Sequence, residues 1–231
     1  VLPEPDLTEL RRRLGYQFND PSLLRRAMAH RSWCSEVGGE PSNERLEFLG
    51  DAVLGWVVAD LAFRLHDDLT EGKLTDLRKS VVNASALAEV AQEIDLGPCL
   101  LLGKGEDAAG GRTKPSILSD ALEAVLGAVY IDGGATAAFA LIERLLVDRM
   151  AIAAQRLDRL DYKTVLQELT ARQYDTAPVY VLSDVGPDHD KRFFATVIVA
   201  GQSVGKGEGR SKKTAEQAAA EKAWLALSEM R

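Results

Sequence analysis

Cysteine is scarce, with only Cys34 and Cys99 in 231 residues. Two thiols make no disulfide framework, and no local motif marks either as a nucleophile. Long apolar runs are missing too. No stretch reaches the about 18 apolar residues that a membrane-spanning helix needs, so no membrane partner is expected. The opening VLPEPDLTELRRRLG has no apolar h-region and does not read as a signal peptide. Together these absences predict a cytoplasmic protein. The string GKGEDAAGGRTK hints at phosphate binding, but G-x-x-x-x-G-K-[ST] is absent. It reads instead as a mobile Gly-rich loop, and no nucleotide cofactor is expected. His30 and His66 lack metal-ligand spacing and read as structural residues.

What is present fits a soluble globular chain of one or two domains, 46% hydrophobic and 27% charged. The net charge of −7 argues against a protein that coats nucleic acid indiscriminately. That charge is unevenly spread. Residues 161–231 hold 10 Lys+Arg and 10 Asp+Glu, whereas residues 1–160 hold 18 and 25. An acidic part is followed by a neutral part with local basic clusters, which predicts two parts with different tasks.

Residues 1–156 read as a succession of helices. DLTELRRRLG stops at Gly15, and Asp20-Pro21 starts the next helix. NERLEFLGDAVL follows a loop. EGKLTDLRKSVVNASALAEVAQEI reads as one long periodic stretch, and ILSDALEAVLGAVYIDGG as a helix closed by Gly133-Gly134. Residues 157–231 change pattern. A short helix, DYKTVLQELTARQ, precedes PVYVLSDVG and RFFATVIVAG, whose alternation predicts strands. GQSVGKGEG allows a third strand, and SKKTAEQAAAEKAWLALSEM is a helix with an Ala-rich face. The expected fold is an all-α domain followed by a small α-β-β-β-α domain.

At about 100° per residue, Glu44, Glu47 and Asp51 share one helix face. Leu46, Leu49 and Val53 lie nearly opposite, and Phe48 and Leu54 flank the acidic stripe. Carboxylates hemmed by apolar groups repel one another and call for a compensating positive charge. Asp120 and Glu123 form a second i, i+3 pair, on a helix whose packing face is Leu122, Val125, Leu126 and Val129. If the two helices pack, Glu47, Asp51, Asp120 and Glu123 meet. An all-oxygen set without His or Cys suits Mg²⁺ or Mn²⁺ rather than zinc. Spacing alone leaves two readings open: a solvated acidic face, or a divalent-metal site.

NERLEFLGDAVLG resembles the signature of the ribonuclease III family, and KPSILSDALEAVLGAVYIDGG resembles that family's second motif. AHRSW and EGKLTDLRKSVVN also fit, and residues 157–231 resemble a double-stranded-RNA-binding domain. Trp33 and Ala52 depart from the commoner Tyr and Ser. The resemblance implies an endoribonuclease that hydrolyses phosphodiesters of double-stranded RNA with Mg²⁺, or with Mn²⁺ as substitute. Its products would carry 5′-phosphate and 3′-hydroxyl ends, in ribosomal-precursor and messenger RNA processing. It implies Glu47, Asp51, Asp120 and Glu123 as metal ligands, Asp51 and Glu123 as catalytic, and Glu44 and Glu71 as supporting acids. It also implies a homodimer in which Phe48 is a knob entering the partner. The residue reading leaves an ordinary core Phe open. A two-fold dimer would place two carboxylate clusters along one cleft, each cutting one strand. The alternative function is a non-catalytic duplex-RNA-binding regulator.

A-form RNA hides its bases in a deep major groove, so a protein reads 2′-hydroxyls and phosphates. Thr164, Gln167 and Glu168 on the short helix suit one minor groove, and His189 in GPDHDK suits a second. Ser211, Lys212 and Lys213 stand at a helix N-terminus, where charge and free N–H groups favour phosphate. Arg210 and Lys206 add cationic neighbours.

Overall fold

The structure is a computed structural model that describes residues 6–160, 162–187 and 191–228. The chain forms two compact units, Val1–Ala153 and Ala154–Arg231.

The first unit is helical. α1 (Thr8–Leu14) ends where Gly15 takes φ 58°, a left-handed stop. α2 (Pro21–Ala27) starts with Asp20 accepting the Ser22 N–H at 3.0 Å. α3 (Arg31–Val37) follows, then α4 (Glu44–Leu65). The long stretch from Glu71 is not one helix but two, α5 (Glu71–Val82) and α6 (Ala84–Glu93). Asn83 divides them, extended at ψ 156°. Its amide donates back to the Lys79 and Ser80 carbonyls at 3.1 and 2.9 Å, and its Oδ1 accepts from Ala86 N–H at 3.1 Å. One side chain thus satisfies both helix ends, a competition that hydrophobic periodicity does not register.

The Gly-rich segment is also more ordered than a loop. It holds α7 (Lys104–Ala108) and a 3₁₀ turn at Gly111–Thr113. Arg112 pins it, pairing with Asp107 at 2.8 Å and donating to the carbonyls of Gly97, Pro98 and Leu100. α8 (Pro115–Leu160) is two helices joined at Gly134, whose φ of 74° favours glycine. Pro115–Arg156 is long and apolar enough by composition to cross a membrane. Here, however, Ala121, Leu122, Val125, Ala128 and Val129 are buried in the core. They share that core with Leu46, Val53, Leu54, Val57, Val58 and Leu61 of α4.

The second unit has the α-β-β-β-α order: α9 (Tyr162–Tyr174), β1 (Val179–Val185), β2 (Arg192–Val199), β3 (Gln202–Gly209) and α10 (Lys212–Ser228). The sheet is antiparallel in the order β1-β2-β3. Ala200 and Gly201, at φ 48° and 81°, form the tight turn between β2 and β3. The core joins Leu166, Ala195, Val197 and Val199 to Ala215, Ala219, Ala220 and Ala223. β3 and α10 approach closely because β3 has glycine where it faces the helix. A Cβ at Gly205 or Gly207 would strike the backbone of Ala219.

Candidate active site and nucleic-acid interface

Two glycines set the active-site geometry. Where α4 crosses α8, a Cβ on Gly50 would collide with the Glu123 carbonyl oxygen, and one on Gly127 with the Leu46 carbonyl oxygen. The helices therefore touch backbone to backbone at Gly50 and Gly127. Side chains one turn away, Glu47 on α4 and Glu123 on α8, are thereby forced together. The carboxylates were visible in the sequence, but this crossing was not. Its only trace there is a glycine inside each of two strongly periodic helices, where glycine is costly without a packing reason.

Carboxylate oxygens of Glu47, Asp120 and Glu123 lie within 4.8 Å of one another. Asp51 is not one of these three; it is exposed beside them, and its charge acts on both Glu47 and Glu123. Burial pushes the Glu123 carboxyl up to about 8, helped by the charges of Asp51, Asp120 and Glu47. Burial likewise raises Glu47, with Asp120, Glu44 and Asp51 adding to it. This is the signature of acids gathered without enough positive charge. The donor set is all oxygen, half-buried and electrostatically uncompensated, so it fits a hard divalent cation.

A cavity of about 510 Å³ opens beside the cluster, lined among others by His30, Glu44, Glu47, Glu106, Lys114 and Asp120. Arg31 lines it too, and its guanidinium lies 4.0 Å from Glu44. Lys114 pairs with Glu106 at 2.5 Å, which holds the Glu106 carboxyl below its ordinary range. The site thus has an acidic floor and a rim whose cations already face rim acids. Glu44 belongs to this rim and accepts from Ser42 Oγ at 2.8 Å. Glu71, at the start of α5, is not among the lining residues and accepts from Thr75 Oγ1 at 3.0 Å. Phe48 is no core residue: it is 80% exposed, in line with exposed Ala52 and with Phe63, itself 73% exposed.

In the second unit, Thr164, Gln167 and Glu168 are exposed on one face of α9. Arg210, Ser211, Lys212 and Lys213 are exposed at the start of α10. Ser211 caps that helix: its Oγ accepts the Thr214 N–H at 3.1 Å, and Thr214 Oγ1 accepts the Ser211 N–H at 2.9 Å. Lys212 and Lys213 therefore sit in the first turn, beside free backbone N–H groups. Lys206 is exposed on β3. His189 lies outside the described residues.

A helical unit with a carboxylate-floored cavity is followed by an α-β-β-β-α unit with a capped, lysine-bearing helix start, a pairing of an acidic site with a cationic surface that suits a phosphate-rich ligand. Residues 20–150 match the family model for Ribonuclease-III-like proteins, and residues 162–227 match that for the double-stranded RNA binding motif. The chain is 53% identical to Ribonuclease 3 of Thermobifida fusca over 98% of its length and 94% of that relative. It is 53% identical to Ribonuclease 3 of Streptomyces coelicolor over 95% of its length and 79% of that relative. The nuclease domain of ribonuclease III from Campylobacter jejuni superposes with a TM-score of 0.58 at 40% identity. That match covers 61% of this chain and 96% of the other. The chain belongs to the ribonuclease III family. It is an endoribonuclease acting on double-stranded RNA, and its family uses divalent metal.

Proposed function

We propose that Glu47, Asp51, Asp120 and Glu123 hold Mg²⁺, with Mn²⁺ as substitute, and that Asp51 and Glu123 are the catalytic acids. The observation that carries this is the meeting of carboxylates from α4 and α8, with Glu123 raised to about 8 by burial and by the charges of Asp51, Asp120 and Glu47. The bound ion would supply activation of water and stabilisation of the leaving 3′ oxygen. The carboxylates fix where it sits and orient the phosphodiester, giving 5′-phosphate and 3′-hydroxyl ends. Glu44 and Glu71 act as supporting acids. Mn²⁺ titration followed by electron paramagnetic resonance tests the assignment. Wild type should bind in the cavity, and Glu47→Gln, Asp120→Asn and Glu123→Gln should each bind at least about tenfold more weakly. Unchanged binding in all three would reject this ligand set.

RNA contacts come from Thr164, Gln167, Glu168, His189, Arg210, Ser211, Lys212 and Lys213, with Lys206 adding a cation. The domains divide at 1–156 and 157–231. The chain works in the cytoplasm on ribosomal-precursor and messenger duplexes, consistent with its two free thiols, Cys34 and Cys99. It acts as a homodimer through α4, with Phe48 as the knob. The support is the exposure of Phe48, Ala52 and Phe63 along one side of α4, apolar groups left to water in a single chain. A solved structure of the Campylobacter jejuni nuclease domain concerns a region involved in dimer formation. Phe48→Ala should weaken the dimer by about 2–4 kcal/mol and leave monomer stability within about 0.5 kcal/mol. Sedimentation across a dilution series reads this. An unchanged dimer would remove Phe48 from the interface.

A further inference from the structure

One wall of the cavity is unused once the carboxylates are assigned. His30, at the N-terminus of α3, lines it. Its Nδ1 lies 2.8 Å from Ser32 Oγ, and the Ser32 backbone N–H donates to the same nitrogen at 3.3 Å. A backbone N–H can only donate, so Nδ1 is the acceptor. Ser32 Oγ in turn accepts the Gly103 N–H at 2.9 Å, which leaves its own proton for Nδ1. The neutral ring then carries its proton on Nε2. Both hydrogen bonds of the ring are on Nδ1, and Nε2 is not a buried atom. His30 therefore offers an oriented, unspent N–H donor.

The surroundings say what that donor suits. Once ionised around a bound cation the carboxylate floor can only accept, and Arg31 and Lys114 lie toward Glu44 and Glu106. A phosphodiester beside the floor needs a donor from the wall, and a neutral one does not compete with the carboxylates for a cation. We propose that His30 is a further substrate-contacting residue of this nuclease, its Nε2–H donating to a phosphate oxygen of the RNA strand being cut, with Ser32 and Gly103 as positioning residues. The inference rests on the nuclease reading above.

Two substitutions separate this role from the cap that His30 also provides. In His30→Asn the shorter amide would still accept the Ser32 N–H as an N-cap but has no atom near the position of Nε2. His30→Gln places an amide N–H₂ near that position. The full-length His30→Asn protein should keep its thermal midpoint and its affinity for an RNA duplex in Ca²⁺. Its single-turnover cleavage under Mg²⁺ should fall roughly 10- to 100-fold, the worth of a hydrogen bond to a charged group. His30→Gln should regain about tenfold of that loss or more. Cleavage by His30→Asn at the rate of a cutting wild type would overturn the proposal. So would losses in both variants that track a fall in thermal midpoint. A wild type that cuts no duplex would reject the nuclease reading itself, and this inference with it.

Discussion

Among the carboxylates of the described residues, Glu123 is the one pushed furthest from its ordinary range. Its carboxyl is raised from 4.5 to about 8, first by burial and then by Asp51, Asp120 and Glu47. Between those two values the folded metal-free protein holds a proton that the unfolded chain releases. Stability is then fully present below pH 4.5 and is lost as pH rises towards 8. The loss should be on the order of 1–2 kcal/mol, because solvent screens a group only half buried. Thermal melts of the metal-free protein should fall between pH 5 and 8, and Mg²⁺ should restore the midpoint at the upper end. Glu123→Gln should flatten both responses. A metal-free midpoint independent of pH would contradict this electrostatic picture. The acids themselves were legible, because i, i+3 pairs and the family strings name them. His30 was not. Spacing marked it as structural, and only the Ser32 and Gly103 contacts show that Nδ1 is the occupied nitrogen of a ring that lines the cavity.

At the scale of elements, the crossing of α4 and α8 decides whether the acids meet. Gly127→Ala would gain about 1 kcal/mol of helix propensity. It would also drive a methyl group into the Leu46 carbonyl. Overpacking of this kind costs about 1–3 kcal/mol or more, and here the neighbour is backbone that cannot rotate away. The substitution should therefore destabilise, and separation of Glu47 from Glu123 should lower metal affinity as well. Urea unfolding and Mn²⁺ binding check the two effects; a stabilised variant would show that the helices do not touch there. Periodicity located the long helices of the first unit, but it passed over the short α3 and α7 and blurred the joint between α5 and α6. Asn83 breaks a continuous pattern through side-chain hydrogen bonds, and Arg112 orders a glycine-rich segment through three carbonyls and Asp107. Both depend on contacts that composition does not encode. The second unit was plainer. Strand alternation and the Ala-rich helix fixed its order, and the glycines of β3 explain why that face is alanine.

For the whole molecule, charge divides the labour. The acidic part gathers carboxylates, while Lys212 and Lys213 stand exposed in the first turn of α10. Replacing both lysines with alanine should weaken duplex binding across sequences and reduce the salt dependence of log affinity by about 2. Filter binding over a salt series reads the slope; an unchanged slope would take these lysines off the phosphates. Cleavage and binding should then separate, because lost binding can be offset by more RNA whereas a lost carboxylate cannot.

That separation provides the most direct test. An end-labelled RNA duplex is incubated with wild type and with Glu123→Gln, with and without Mg²⁺. Cutting by wild type only when Mg²⁺ is present, with no cutting but intact duplex binding by Glu123→Gln, is the expected result. Equal cutting by the two proteins would mean that the carboxylates at the α4–α8 crossing are not where the chemistry happens.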